Sequence, residues 1–227
     1  MSVEEDRAAR RQGFLDWDVE KRLPAVIGDF HFRRMDQQDG RLYYAFEYVS
    51  ESTGWAVRSL FDEETMDYMI KTDFRLFVMT DIELITGDFE KYKTAVEKLL
   101  KKNMTRELLH RDSVSVVVKD HAFTRWDFSE ALPPHIGRYE RLIDPSRPLM
   151  GLNGSYIIGL YEWKEGQRGI IFYYNMFRNE YYAEMNAEKI PVIIHEFDAD
   201  TIEQLEKKIK KHLAKELDQL TKLVPES

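Results

Sequence analysis

A fourteen-residue pattern occurs twice in this chain, with the same internal spacing both times. Residues 17–30 read WDVEKRLPAVIGDF and residues 126–139 read WDFSEALPPHIGRY, so six of the fourteen positions are identical. Chance alone gives about one identity at ordinary residue frequencies. The identical pairs are Trp17/Trp126, Asp18/Asp127, Leu23/Leu132, Pro24/Pro133, Ile27/Ile136 and Gly28/Gly137. Such a pattern indicates two copies of one folding unit.

The segments that follow each copy of the pattern support this interpretation, because they have the same type and order. Each copy continues with an aromatic alternating run, a hairpin-like stretch, an apolar strand and a long amphipathic helix. In the first copy these segments are 42–49, 55–70, 76–84 and 89–104, and in the second they are 156–163, 169–185, 190–197 and 202–220. The sequence therefore predicts tandem units of roughly 90 residues.

The two helices have the clearest periodicity. Apolar side chains recur at helical spacing, at Phe89, Tyr92, Val96, Leu100 and Met104 in one and at Ile202, Leu205, Ile209, Leu213 and Leu217 in the other. Each stripe is typical of a helix with one buried face. Asp88 and Asp200 precede the helices, where an N-cap side chain accepts free backbone N–H groups.

These elements predict an α+β fold of two tandem repeats related by a pseudo-two-fold axis. Each repeat is expected to be an antiparallel sheet of about four or five strands closed by a long C-terminal helix. The predicted organisation is an N-terminal arm or short helix at 1–16, a first repeat at 17–112 and a second repeat at 113–227. The apolar run 114–118 is expected to lead into the second repeat as a strand.

Composition excludes several classes of protein. The chain has no cysteine, so disulfides, thiolate zinc sites and cysteine nucleophiles are excluded. Its net charge of −8 disfavours nucleic acid and anionic membranes as partners. The start of the chain has no apolar signal-peptide core, and no apolar run has the length of a membrane span. These features predict a soluble cytoplasmic protein.

No motif assigns a reaction to the chain. It lacks GxGxxG, P-loop, GxSxG and HExxH patterns, and its six histidines are not spaced as metal ligands. The carboxylates of 62–64, Glu180 and 198–200 could act as acid and base, but turns and helix starts require the same residues. No metal site and no cofactor are predicted.

The candidate ligand-binding residues are mostly aromatic. Trp17 and Trp126 are interpreted as anchors of their repeats, or alternatively as two walls of a cleft between the repeats. The strands of the second repeat are rich in tyrosine, and Tyr173 and Tyr181 are expected to pack across strands or to face a ligand. His195 lies in the apolar strand 190–197, where a hydrogen-bonded structural role and a ligand-binding role are both open.

These observations favour a non-enzymatic module that binds a small molecule or a protein partner through an aromatic-lined surface or cleft. The alternative is a hydrolase-like small-molecule enzyme at the junction of the repeats. It would use carboxylates and a histidine, with or without a divalent metal. A homo-oligomeric scaffold is a third alternative, for which exposed apolar sheet surface would be the sign.

Overall fold

The computed structural model describes residues 2–111, 121–151 and 154–222. It has a mixed α+β fold with two antiparallel sheets. The chain divides into two compact units, one ending at Leu109 and the other beginning at His110. The strand predicted at 114–118 lies outside the described residues. No helix among the described residues is both long enough and apolar enough to cross a membrane.

The first unit opens with two helices, α1 (Val3–Asp16) and α2 (Val19–Arg22). Ser2 and Glu5 form a capping box at the start of α1, which satisfies two backbone N–H groups that a helix start leaves free. Phe14, near the other end of α1, is fully buried. The N-terminal segment is therefore anchored in the first unit by an aromatic side chain.

The sheet of the first unit has six strands in sequential order, each antiparallel to the next. They are β1 (Val26–Ile27), β2 (Phe30–Asp39), β3 (Leu42–Ser50), β4 (Ala56–Asp62), β5 (Asp67–Asp73) and β6 (Val78–Thr86). Because order in the sheet follows order in the chain, β6 is an edge strand.

Helix α3 (Phe89–Met104) follows β6 and packs on β5 and β6. Of the predicted stripe, Tyr92, Val96, Leu100 and Met104 are buried and Phe89 is half-buried. The Asp88 side chain accepts hydrogen bonds from the backbone N–H groups of Glu90 and Lys91, which confirms the predicted N-cap. The hydroxyl of Tyr92 on this helix is hydrogen-bonded to the hydroxyl of Ser59 in β4 at 2.7 Å, inside the core.

In the second unit, the described residues include a 3₁₀ turn, Ala122–Arg125, and a seven-stranded sheet. The order is β13-β12-β11-β10-β8-β7, and β9 pairs separately with β10. The strands are β7 (His135–Ile136), β8 (Tyr139–Ile143), β9 (Leu149–Met150), β10 (Ser155–Trp163), β11 (Arg168–Asn175), β12 (Glu180–Ala187) and β13 (Ile190–Ala199). Among the described strands of this sheet, β13 lies at an edge.

Helix α4 (Ile202–Lys222) follows β13, and its apolar stripe belongs to the core of the second unit. The predicted cap at Asp200 is corrected by one residue. The Thr201 hydroxyl accepts a hydrogen bond from the backbone N–H of Gln204, and the Gln204 side chain accepts one from the backbone N–H of Asp200. At the other end, Arg168 donates to the carbonyls of Leu220 and Thr221.

The sheets are larger than the predicted four or five strands, because polar or very short strands were missed. β2 reads FHFRRMDQQD, and most of its side chains are exposed or half-buried. It is held by backbone pairing with β3 and carries no alternating apolar pattern that a sequence could reveal. β1, β7 and β9 have two residues each, too few to show any period.

The repeated Ile-Gly step forms a tight hairpin turn in each unit. Gly28 joins β1 to β2 with φ of 62°, and Gly137 joins β7 to β8 with φ of 58°. This left-handed conformation strains any residue that has a Cβ atom, so glycine suits both positions.

The Leu-Pro step is held by a buried tyrosine in each unit. The hydroxyl of Tyr48 on β3 donates to the carbonyl of Pro24, and the hydroxyl of Tyr161 on β10 donates to the carbonyl of Pro133. Both distances are 2.6 Å. Each bond links the entry of a unit to a long strand of its sheet, β3 in the first unit and β10 in the second.

Candidate functional site

Trp17 is a core residue of the first unit. Its ring is 6% exposed and packs against Phe14, Phe46 and Tyr92. The indole N–H donates to Oε1 of Glu97 on α3 at 3.1 Å. The polar edge of the ring is thus satisfied within the protein, and the faces of the ring are covered by other aromatic residues.

Trp126 has the same polar contact in the second unit. Its ring is half-buried against the core, and its N–H donates to Oε2 of Glu206 on α4 at 3.1 Å. Lys210 donates to Glu206 as well. The bond from Lys210, aided by the bond from Trp126, lowers the pKa of the Glu206 carboxyl from its ordinary value against a smaller opposing effect of burial.

Tyr181 lies inside the core of the second unit. It is buried on the face of the sheet that α4 covers, and it packs against the ring of Tyr174 on β11. Burial raises the pKa of the Tyr181 hydroxyl, because the charged phenolate is poorly solvated there. The side chain contributes core volume at this position.

Tyr173 lies on the opposite face of the same sheet. Its ring stacks on that of Tyr182 with centroids 4.8 Å apart and planes 11° from parallel, and both rings are half-buried. The hydroxyl of Tyr173 donates to Oε2 of Glu184 at 2.9 Å. Burial and the nearby carboxylate of Glu184 both raise the pKa of this hydroxyl.

His195 is an exposed residue of β13. Its Nδ1 lies 2.7 Å from Oδ2 of Asp198, with 81% of the histidine side chain exposed. Trp17 belongs to the first unit, whereas Trp126, Tyr173, Tyr181 and His195 belong to the second. Within the second unit Tyr173 and Tyr181 lie on opposite faces of the sheet, so the structure does not gather these residues into one cluster.

The acidic residues at the turn of 62–64 are engaged in ion pairs. Asp62 is nearly buried and lies 3.4 Å from Nε of Arg41. Glu63 pairs with Arg11 from α1. Within the described residues, no group of three or more histidines and carboxylates is arranged to hold a metal ion.

The surface of α3 contains an open groove of about 500 Å³. Its lining is charged and contains no aromatic residue: Glu97, Lys98, Lys101, Lys102, Thr105 and Arg106. This spacing is that of a single solvated helix face.

The edge strand β13 carries an apolar surface that the sequence did not reveal. Ile190 is 66% exposed, Val192 57% and Ile193 56%. Its neighbour Ile194 is buried beneath α4, so the apolar run looks in sequence like an ordinary core strand. Pro191 is the only sign in the sequence of an edge position, because proline cannot donate to a ladder.

Charged residues on β6, an edge strand of the first unit, disfavour its pairing with another strand. β6 also exposes aliphatic side chains, with Ile82 at 65% exposed. Asp81 and Glu83 flank Ile82, and both carboxylates accept hydrogen bonds from Nδ2 of Asn103 on α3. Charged residues on an edge strand disfavour pairing with another strand. In β13 the segment from Ile190 to Ile194 contains no charged residue.

Comparison with known proteins adds no assignment. No protein-family model, no curated protein and no solved structure matches this chain.

Proposed function

We propose that this chain is a non-enzymatic protein-interaction module that binds a partner through the outer edge of β13. The observation that carries this proposal is the set of three aliphatic side chains, Ile190, Val192 and Ile193, each more than half exposed on an edge strand for which β12 is the only described pairing partner. A strand of this kind can receive an extended segment of a partner as an additional strand of the sheet.

The backbone of β13 supplies the polar part of such an interaction. Pro191 lacks an N–H group and tolerates an edge position when its nitrogen faces outward. Because backbone groups alternate along a regular strand, the N–H and carbonyl groups of Ile193 then also face outward. Regular pairing with β12 extends to Ile194, directly before His195. Within the described chain, β12 is the only strand that pairs with β13.

The placement of the predicted ligand-binding residues favours a protein partner over a small molecule. Trp17 and Tyr181 are buried, and the Trp126 ring donates its N–H inside its own unit. A small-molecule site is typically an apolar concavity with a few polar groups directed into it. The open groove along α3 and the residues after it is a solvated helix surface lined by Glu97, Lys98, Lys101, Lys102, Thr105 and Arg106.

We also propose that the two units are tandem copies of one ancestral unit. The bulge in β3 lies between Tyr44 and Phe46, and the bulge in β10 lies between Ile157 and Gly159. The number of residues from Tyr44 to Ile157 equals the number from Phe46 to Gly159. The β5–β6 and β12–β13 ladders show the same offset. Tyr68 pairs with Thr86 in the first ladder, and Tyr181 pairs with Ala199 in the second. Equal offsets across several strands support duplication with loop insertions elsewhere.

Selection of binding peptides tests the proposed interaction edge. Random peptides of about twelve residues would be displayed and selected against the wild-type protein. We expect selected peptides to alternate apolar β-branched and polar residues, as strands do, and to lose at least about tenfold in affinity for Ile193→Lys.

Ile82→Lys on β6 is the matched control, because it adds the same charge to an edge strand of the first unit. Its affinity for the selected peptides should equal that of the wild type, and circular dichroism should give both variants the wild-type fold. Peptides that bind Ile193→Lys as well as the wild type would contradict the proposed site.

A further inference from the structure

We propose that a second copy of this chain occupies the β13 edge, with the two β13 strands pairing antiparallel around Ile193. This inference rests on the proposed function, since it names the partner of the same edge. The two copies would form a symmetric dimer in which Ile193 of one copy faces Ile193 of the other.

The backbone pattern of β13 is complementary to itself in this register. Two central Ile193 residues would exchange both of their N–H to carbonyl hydrogen bonds. Pro191 of each copy would face His195 of the other. Its carbonyl can accept the His195 N–H, and its missing N–H falls at the end of the paired stretch. Four backbone bonds would therefore join the two copies.

Val192 and Ile193 would both gain apolar neighbours in the same arrangement. Val192 pairs with Met185 of β12, and Ile194 pairs with Ala183, so Val192 and Ile194 share the helix-covered face. Across the two-fold axis, Val192 of one copy would lie opposite Ile194 of the other. Ile193 would meet its counterpart on the opposite face, which removes apolar surface from water on both faces of the sheet.

The charges of β13 permit this register. The paired stretch from Pro191 to His195 contains no carboxylate, so no like charges face each other within it. Glu196 and Asp198 lie beyond its end, where the regular pairing with β12 is interrupted. The stretch 191–195 contains neither lysine nor carboxylate, so it is suited to pairing with another uncharged stretch.

The size of the edge determines how strong the dimer can be. One short paired stretch with two exposed aliphatic side chains, Val192 and Ile193, falls below the roughly 1,200 Å² of total buried area that is typical of stable complexes. We therefore expect a concentration-dependent dimer with a dissociation constant in the micromolar range or weaker.

Sedimentation equilibrium measures the association directly. Over about 5 to about 500 µM protein, the average mass should rise from the monomer's 27.0 kDa towards twice that value. Ile193→Lys places two ammonium groups opposite each other and should weaken association at least about tenfold. Ile82→Lys on β6 should associate as the wild type does.

A charge-swap experiment identifies the register. Ile193→Lys and Ile193→Glu should each remain monomeric alone, and a mixture of the two should associate because opposite charges then meet at the two-fold axis. A structural defect in either variant would not be repaired by mixing. Mixing without any gain in mass would overturn the pairing around Ile193.

The outcomes separate this inference from the proposed function. A wild-type chain that stays monomeric at every concentration, yet binds selected peptides through Ile193, overturns the second copy as partner and leaves the interaction edge standing. Dimerisation that Ile193→Lys does not weaken also overturns the inference, since the contact would then lie elsewhere. Failure of both peptide binding and association removes the edge itself.

Discussion

The indole N–H groups of Trp17 and Trp126 each donate to a glutamate on the helix that follows the sheet of the same unit. Trp17→Phe removes that bond and part of a buried ring, so we expect the free energy of unfolding to fall by about 2 kcal/mol. Trp126→Phe should cost about 1 kcal/mol, because this ring is already partly in contact with water. Urea unfolding monitored by circular dichroism measures both.

The larger loss of unfolding free energy is expected for Trp17→Phe, and the size of that loss is the critical result. If the Trp17 ring were a ligand-binding wall with little structural role, its replacement would leave the unfolding free energy within the small range of ordinary surface substitutions.

Gly28 and Gly137 form a matched pair that separates backbone strain from crowding. Both have positive φ, so alanine at either position should cost about 1 kcal/mol for the left-handed conformation. A Cβ atom at Gly28 would also lie 2.6 Å from Cδ1 of Leu109, whereas nothing lies within 4 Å of one at Gly137. Gly28→Ala should therefore be at least about 1 kcal/mol more destabilising than Gly137→Ala. Equal losses in urea unfolding would show that Leu109 moves aside without cost.

At the scale of elements, the start of α3 makes stability depend on pH. Hydrogen bonds from the backbone N–H groups of Lys91 and Glu90 lower the pKa of Asp88 below its ordinary value of 3.8, despite partial desolvation. A carboxyl with a lowered folded-state pKa stabilises the fold above its unfolded-state pKa. That stabilisation disappears as the pH falls through the folded-state pKa.

Asp88→Asn tests this contribution, because asparagine caps a helix well but does not titrate. The urea midpoints of variant and wild type should be similar at neutral pH. Between about pH 4 and pH 2 the wild-type midpoint should fall more steeply than that of Asp88→Asn. Parallel curves would mean that the Asp88 carboxylate has no linkage to folding.

The edge strands β6 and β13 both expose aliphatic side chains, but they differ in how readily they can pair with another strand. Ile82 on β6 is as exposed as Ile190 on β13, yet Ile82 lies between Asp81 and Glu83, which accept hydrogen bonds from Asn103. Desolvating those carboxylates in a strand–strand contact would be costly. On β13, Ile193 lies between Val192 and Ile194, so pairing at that point removes apolar surface from water.

At the scale of the whole molecule, net charge should make the proposed dimer sensitive to salt. Two copies that each carry −8 repel each other, and salt screens that repulsion while leaving apolar contact intact. Raising the ionic strength from about 10 mM to about 150 mM should tighten association several-fold in sedimentation experiments. Association that weakens with salt would instead indicate attraction between charged groups, contrary to pairing of an uncharged edge.

The elements that could be predicted from sequence are those whose pattern is local. The stripes of α3 and α4 repeat every three to four residues, and Asp88 caps its helix, so both helices are apparent without tertiary information. The main strands β3 to β6 and β10 to β13 alternate or run apolar between recognisable turns. The polar strand β2 was missed because backbone bonds to β3 hold it, and those bonds leave no trace in side-chain pattern.

The sequence by itself determined the α+β class, the two helices and most of the strands, since hydrophobic period and capping chemistry act over a few residues. Only the tertiary structure decided which of these apolar residues remain in water. Trp17 and Tyr181 are enclosed by residues distant in sequence, whereas Ile190, Val192 and Ile193 are left at an edge. Burial depends on where a strand lies in its sheet, and a strand's own residues do not encode that position.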